Sequence, residues 1–205
     1  VILIIMSAIA AICALQLAGG LDYLVRIAEN ILRKNPKHIN YLAPAVTYFL
    51  TLLAGTGHTA FSMIPVIVEV AKSENIKPSV PLSIAVVASQ IAITASPVSA
   101  AVVAMSGFLE PFGVNYPTLL AICISTTFVA VMITAFIMST FANNDLSSDP
   151  VYQERLAAGH VAPPREKNAD FHLKPGAKTS VLIFLVGIIC IVFYATAISK
   201  NIGLI

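Results

Sequence analysis

The sequence has few charged residues: Asp, Glu, Lys and Arg make up 11% of its 205 residues, and tryptophan is absent. A soluble domain of this length carries about a quarter charged residues, so a single soluble core is the wrong fold class. Hydrophobic residues make up 58% of the chain, and the mean hydropathy is +0.87. Because these residues are gathered in long runs, the composition predicts an all-α polytopic membrane protein.

Cysteine is also scarce. Cys13, Cys123 and Cys190 lie one in each of three apolar runs, without the spacing of metal ligands. We therefore expect small membrane-buried residues, with no metal site and no cofactor. No basic cluster with interleaved aromatics indicates nucleic acid, and no acid lies near His58 to complete a catalytic pair. We expect neither a nucleic-acid partner nor an enzyme.

The alternation of apolar and polar stretches divides the chain into segments. Gly19-Gly20 ends the first apolar run, and Asn35-Pro36 ends a stretch with helical, amphipathic spacing. The predicted order is a transmembrane helix over 1–18, an amphipathic surface helix over 19–40, a re-entrant hairpin over 41–71, a loop over 72–79, a broken transmembrane helix over 80–110, a turn over 111–117, a transmembrane helix over 118–141, a polar linker over 142–178 and a transmembrane helix over 179–199.

The hairpin over 41–71 competes with a single broken span, and loop charge decides between them. With a hairpin, eleven of the twelve Lys and Arg residues fall on one side of the membrane; with a span, they divide seven to five. Cytoplasmic loops collect Lys and Arg, so the hairpin is favoured. The surface helix, the loop over 72–79 and the linker are then cytoplasmic, and the turn over 111–117 is periplasmic. This is the topology of a multi-pass membrane protein.

The first interruption, Gly55–Thr59, falls inside the predicted hairpin. We expect Asn40 to cap the outgoing arm, with Pro44 in its first turn. The two glycines permit the chain to reverse and leave backbone groups open to a ligand. We expect the return helix to start near Ser62, which would place Pro65 in its first turn, where no N–H is missed.

The second interruption lies near residues 94–97, in the middle of the stretch over 80–110. Ser96 is predicted as the N-cap of a new helix and Pro97 as its first residue. That helix would begin at mid-membrane, with its free N–H groups and positive dipole end turned towards a ligand. Discontinuous helices of this kind form the substrate sites of many carriers.

The two interruptions together predict an anion site without a fixed charge. No Lys or Arg lies inside an apolar run, so an anion must be held by backbone N–H groups, hydroxyls, an amide and helix dipoles, with His58 as the one readily cationic group. The predicted substrate-binding residues are Gly55, Thr56, Gly57, His58, Thr59, Gln90, Thr94, Ser96, Pro97 and Ser99. Small polar residues also serve merely to pack membrane helices together, and that alternative stays open.

Several runs resemble the anaerobic C4-dicarboxylate transporter (Dcu) family, and the last two most resemble its DcuA branch. They are Ala18–Val25, Leu32–Lys37, Ala54–Gly57, Gln90–Ser99, Asp149–Tyr152 and Gly176–Ser180. The resemblance implies that the chain covers about half of a family member. It also implies proton- or sodium-linked uptake and exchange of fumarate, malate, succinate and aspartate across the bacterial inner membrane. The family is similar to a wider ion-transporter group, whose two inverted repeats each carry a hairpin and a broken helix and move as elevators.

The expected partners are a dicarboxylate, a coupling proton or sodium ion and the lipid bilayer, with homo-oligomerisation left open. Alternatives within transport are a carrier for another organic anion, such as citrate, or a sodium/proton antiporter. An antiporter should have buried acids at mid-depth, and the apolar segments place none there. The alternative outside transport is a membrane sensor that binds dicarboxylate and docks a regulator through Leu21–Lys37 or the linker.

Overall fold

A computed structural model describes residues 2–142, 145–159 and 176–201. In these ranges nearly all regular structure is α-helix, which confirms the predicted all-α fold. The helices are α1 (Ile2–Leu17), α2 (Gly20–Lys34), α3 (Ile39–Ala54), α4 (Thr59–Ser73), α5 (Ser79–Ile93), α6 (Ala100–Leu109), α7 (Tyr116–Phe141), α8 (Pro150–Ala157) and α9 (Ala177–Asn201). Residues 160–175 of the predicted linker lie outside the described ranges.

The glycine pair between α1 and α2 produces a sharp bend. Gly19 has a φ of 77°, in the left-handed region, which glycine adopts at little cost. A Cβ on Gly20 would lie 2.3 Å from the Leu15 side chain and 2.8 Å from the Ser180 hydroxyl of α9. The helix axis turns by 70° between Ala10–Leu17 and α2. The predicted end of the first apolar run is thus a corner that only glycine fits.

Helix α2 uses part of its apolar face to cover other helices. Leu24, Ala28 and Leu32 are buried, and α2 packs against α3, α4 and α9. The apolar face that the sequence predicts for the membrane surface is therefore partly covered by protein.

A paired arginine joins the end of α2 to α4. Arg33 lies 2.8 Å from Glu29 of the same helix and 2.9 Å from Glu69 of α4. Burial acts to lower the pKa of Arg33, but the hydrogen bonds and charges of the two glutamates outweigh it, so this pKa lies above its ordinary value. Arg33 is therefore charged at any physiological pH, and Glu69 has a structural role as its partner.

Helices α3 and α4 form an antiparallel pair that turns at Gly55–His58. The Arg33–Glu69 ion pair and contacts between α4 and the short 3-10 turn Pro36–His38 place the start of α3 beside the end of α4. At 1.5 Å per residue, the 16 residues of α3 extend about 24 Å. This is less than the ~30 Å hydrocarbon core of a bilayer but more than half of it.

Both arms start earlier than the sequence predicts. Helix α3 begins at Ile39, so Asn40 is not its cap but a buried residue inside it. Helix α4 begins at Thr59 rather than near Ser62, and Pro65 therefore lies in its interior. Helix α4 starts early because the amides of Ala60 and Phe61 donate to the carbonyls of residues 57 and 58, so the chain has already reversed at the glycines. Pro65 cannot supply the N–H that would bond to the carbonyl four residues earlier.

Helices α5 and α7 both pack against α3. Ala85, Ala88 and Ala92 of α5 are buried where α5 packs along α3, and small side chains let helix backbones approach closely. Tyr48 of α3 is fully buried, and its hydroxyl lies 2.8 Å from the Thr127 hydroxyl of α7.

Helix α7 is 26 residues long and apolar enough to cross a membrane, and only 17% of its most apolar window is buried. The sequence predicts this span to begin at residue 118, whereas the helix begins at Tyr116, after the N-cap Asn115. Among the residues that the structure describes, Ala10–Leu17 and α2 are long and apolar enough to cross a membrane only when they are taken together, and the chain bends sharply between them.

The loop between α4 and α5 is clasped to the chain that follows α7. The Leu146 amide donates to the Asn75 carbonyl at 2.9 Å, and the Asn75 side-chain amide donates to Asp145 at 3.1 Å. Lys77 lies 2.9 Å from Asp149, which also caps α8. Residues 75–77 and 145–149 thus lie at the same end of the molecule.

Candidate functional site

The tip of the α3–α4 pair and the break between α5 and α6 lie against each other. A Cβ on Gly57 would lie 2.6 Å from Nε2 of Gln90 and 3.2 Å from the Ile93 side chain. A Cβ on Gly55, whose φ is +67°, would lie 2.8 Å from the side chain of Val98. Both glycines are therefore needed for close approach, and the two interruptions that the sequence singles out form one region.

The break is longer than predicted, because α6 begins at Ala100. Its N-cap is Ser99, whose hydroxyl accepts from the Ala101 amide at 3.3 Å. The expected cap, Ser96, instead donates its hydroxyl to the Leu52 carbonyl of α3 at 2.6 Å. The Ser96 hydroxyl also accepts from the Val98 amide at 3.4 Å. The helix itself begins three residues later than predicted, and Pro97 lies before it.

Three of the predicted site residues are buried and bonded inside the fold. Thr59 and Thr51 share a hydrogen bond of 2.7 Å between their hydroxyls, and Thr59 also lies 3.1 Å from the Thr56 carbonyl. Ser96 and Ser99 are likewise buried, and each has the partner described above. These three hydroxyls fix the shape of the tip and the break.

Four other predicted residues present polar groups at the surface of the same region. His58, Gln90 and Thr94 are exposed, and Thr56 is half-buried. The Thr94 hydroxyl donates to the Ile91 carbonyl at 2.7 Å, which leaves its oxygen free to accept. Residues 55–59 and 90–99 contain no Asp, Glu, Lys or Arg. The region therefore offers amide, hydroxyl and imidazole groups without a permanent charge.

One hydrogen bond at the break could not be predicted from the sequence. The Tyr116 hydroxyl, at the start of α7, donates to the Pro97 carbonyl. A tyrosine at the end of an apolar helix is typical of a membrane interface, so nothing in the sequence connects it to a residue 19 positions earlier. The Tyr116 hydroxyl thus provides a hydrogen-bond donor for the Pro97 carbonyl, which lies outside the helices.

Within the described residues, no group of three or more His, Cys, Asp or Glu side chains could hold a metal ion. The three cysteines are free, and Cys13 and Cys190 are exposed on the surface.

Comparison with known proteins connects this arrangement to one family. The family model described as "anaerobic C4-dicarboxylate membrane transporter" matches residues 1–204. The C4-dicarboxylate transporter DcuA of Wolinella succinogenes is 72% identical over the whole chain, and the DcuA of Escherichia coli K12 is 52% identical over the whole chain. The DcuB of Escherichia coli O6:H1 is 39% identical over 162 residues, 77% of the chain and 36% of that protein. No solved structure matches.

The chain spans about half the length of the curated relatives it matches, 47% of both DcuA proteins. The family model and the two DcuA matches nevertheless extend along the chain, through the α3–α4 pair, the break and α7. The chain therefore belongs to the DcuA/DcuB family of anaerobic C4-dicarboxylate membrane transporters.

Proposed function

We propose that this chain forms part of a secondary carrier that takes up and exchanges C4-dicarboxylates, such as fumarate, malate, succinate and aspartate, across the bacterial inner membrane. The observation that supports this most directly is the contact between Gly57 and Gln90, which joins the hairpin tip to the helix break. The names of the relatives supply the substrate class.

The proposed site holds one carboxylate of the substrate. Thr56, Gln90 and Thr94 offer hydrogen bonds, His58 offers an imidazole at the tip, and the start of α6 adds the positive end of a helix dipole. Without a fixed cation the carboxylate is held weakly enough to leave, as transport requires. The second carboxylate, in this proposal, is bound by the part of the carrier that lies outside this chain.

We further propose that α3 and α4 form a re-entrant hairpin, which enters and leaves on the cytoplasmic side. Each arm is too short to cross the bilayer. The short turn Pro36–His38, just before α3, contacts α4, and the Arg33–Glu69 ion pair ties the end of α2 to α4. Non-helical backbone at the tip and the break is then placed at membrane depth. It is tolerated there because protein or an aqueous site surrounds it.

Counterflow tests the proposal. A chimera in which this chain replaces the matching segment of the Wolinella succinogenes transporter supplies a complete carrier. In liposomes loaded with unlabelled succinate, we expect rapid, saturable entry of labelled fumarate that is absent without internal succinate. Imposed proton and sodium gradients identify the coupling ion. Failure of fumarate to enter under any gradient, from a chimera that folds, would contradict the proposal.

A further inference from the structure

The surface of α2 divides into three sectors. Leu24, Ala28 and Leu32 are buried against other helices. Arg33 and Glu29, which are paired, lie on a second, charged sector. The third sector is mostly exposed, and only its first residue, Tyr23, is partly buried against the core.

This third sector combines apolar and basic side chains. Tyr23, Ile27, Ile31 and Lys34 recur at intervals of one helical turn and therefore lie along one line of the helix. Ile27 and Ile31 are each 39% exposed, and Lys34 is exposed. From α9, the Lys178 ammonium lies 5.8 Å from the centre of the Tyr23 ring. A lysine thus stands at each end of an exposed isoleucine pair.

Acidic side chains are absent from this line of α2. Asp22 and Glu29, the two acids of the helix, project from the opposite side of its axis. Lys34 and Lys178 therefore have no carboxylate within the sector to pair with. A surface of this composition is complementary to an anion above an apolar layer.

The orientation of α2 also favours contact with an anionic membrane surface. The 70° turn from Ala10–Leu17 brings α2 close to the membrane plane if α1 crosses the bilayer. An amphipathic helix in that plane buries its apolar residues at the boundary of headgroups and acyl chains, and basic residues beside it attract acidic lipids.

We propose that the sector formed by Tyr23, Ile27, Ile31, Lys34 and Lys178 binds acidic phospholipid. Ile27 and Ile31 enter the acyl boundary, and the two ammonium groups bind phosphate groups of the lipid headgroups. Tyr23 and Lys34 are about 16 Å apart along the helix axis at 1.5 Å per residue, so two lipid headgroups fit along the sector.

Lipid bound to this sector would anchor the hairpin as well as α2. Arg33 links α2 to Glu69 near the outer end of α4, and α2 also packs against both α3 and α4. The inference rests on the membrane location of the chain and not on which anion is carried.

The test measures the depth of a spin label on α2. A cysteine-free form of the chimera carries Ile31→Cys labelled with a nitroxide, in vesicles of phosphatidylcholine with or without phosphatidylglycerol. We expect phosphatidylglycerol to raise the label's exposure to oxygen relative to a water-soluble nickel reagent. Replacing both lysines, Lys34→Gln with Lys178→Gln, should abolish this lipid-dependent difference. Replacing Lys72, in the last turn of α4, and Lys77, in the loop that follows, by Gln removes the same charge and should leave the difference intact.

Three results would overturn the proposal. A label equally open to the nickel reagent in both lipids would place the sector in water, and a label closed to both reagents would place it against protein. A lipid-dependent difference that survives the Lys34 and Lys178 replacements would remove the role of these lysines. Equal helical content by circular dichroism shows that the variants compared are folded, and the readout does not depend on transport.

Discussion

The Ser96 hydroxyl donates a 2.6 Å hydrogen bond to the main-chain carbonyl of Leu52, and this bond joins the helix break to the outgoing arm of the hairpin. Leu52 lies in the last turn of α3, where carbonyl groups have no intrahelical donor. The neighbouring carbonyl of Thr51 accepts from the Gly55 amide, so Ser96 satisfies a second one. Because an unsatisfied carbonyl at membrane depth is costly, this bond fixes the tip and the break in one arrangement.

Removal of the Ser96 hydroxyl should therefore loosen the site. We expect Ser96→Ala to lower the free energy of unfolding by about 1–3 kcal/mol, the cost of leaving a buried acceptor unsatisfied, and to weaken apparent substrate affinity. Thermal unfolding and counterflow measure the two effects. The control is Ser106→Ala, because the Ser106 hydroxyl bonds to Val103 within its own helix. Equal effects of the two substitutions would mean that the bond to Leu52 has no special role.

The contact between Gly57 and Gln90 makes a second prediction. In Gly57→Ala the new methyl group would lie 2.6 Å from the Gln90 amide nitrogen, so the amide must move out of the position it now has. We expect a raised KM for transport with the chimera still folded. Gly107→Ala is the matched control, since no atom lies within 4 Å of the added Cβ and alanine favours a helix interior. An unchanged KM in Gly57→Ala would mean that the position of Gln90 is unimportant.

The sequence predicts much of this region because its strongest signals are local. Gly55 and Gly57 indicate a reversal through their backbone freedom alone, and the reversal is where they place it. The helix start after the break was predicted wrongly, since Ser96 and Ser99 are equally good caps by residue type. In the fold Ser96 bonds to Leu52, 44 residues earlier, whereas Ser99 caps α6. Tyr116 was missed for the same reason, because its partner is set by tertiary packing.

The fold shows the same division between local and distant effects. Asn35-Pro36 was expected to end the surface helix, and Asn35 is its C-cap. The burial of Leu24 and Leu32 could not be foreseen, because an amphipathic pattern does not say whether lipid or another helix covers its apolar face. Deciding this requires knowing that α3, α4 and α9 pack there.

Thr94 provides a test of substrate contact at the break. Thr94→Val preserves the shape of this exposed side chain and removes its hydroxyl. We expect apparent affinity to fall about two- to tenfold, as for the loss of one hydrogen bond, with little change in thermal stability. Thr126→Val is the control, because Thr126 is also exposed and also donates to a carbonyl of its own helix. If both variants transport like the parent, Thr94 does not contact the substrate.

The clasp between residues 75–77 and 145–149 should open in acid. The hydrogen bond from Lys77 lowers the pKa of Asp149, and bonds from Ser147 lower that of Asp145, below the ordinary value of 3.8. A carboxylate with a lowered pKa stabilises the clasp above its ordinary pKa, and this contribution is lost as pH falls through the lowered value. The clasp should thus stay closed at neutral pH and release below about pH 4.

Spin labels at Glu74→Cys and Ser148→Cys can follow this release as an increase in their separation. Lys77→Gln should move the opening to higher pH, because Asp149 loses the first cause of its lowered pKa. Lys72→Gln, in the last turn of α4 and outside the clasp, should leave the opening pH unchanged. A separation that does not change with pH would show that other contacts hold these segments together.

The re-entrant hairpin predicts which side of the membrane each loop faces. If α3 and α4 enter and leave on one side, cysteines in Lys37→Cys and Lys77→Cys should both react with an impermeant maleimide only in inverted vesicles. Phe112→Cys, in a turn where Phe112 is 81% exposed, should react only in intact cells. The Arg33–Glu69 bond ties α2, which ends just before residue 37, to α4, so a crossing between residues 37 and 77 would require this bond to break. Labelling of residues 37 and 77 from opposite sides would therefore refute both the hairpin and the placement of the tip at mid-membrane.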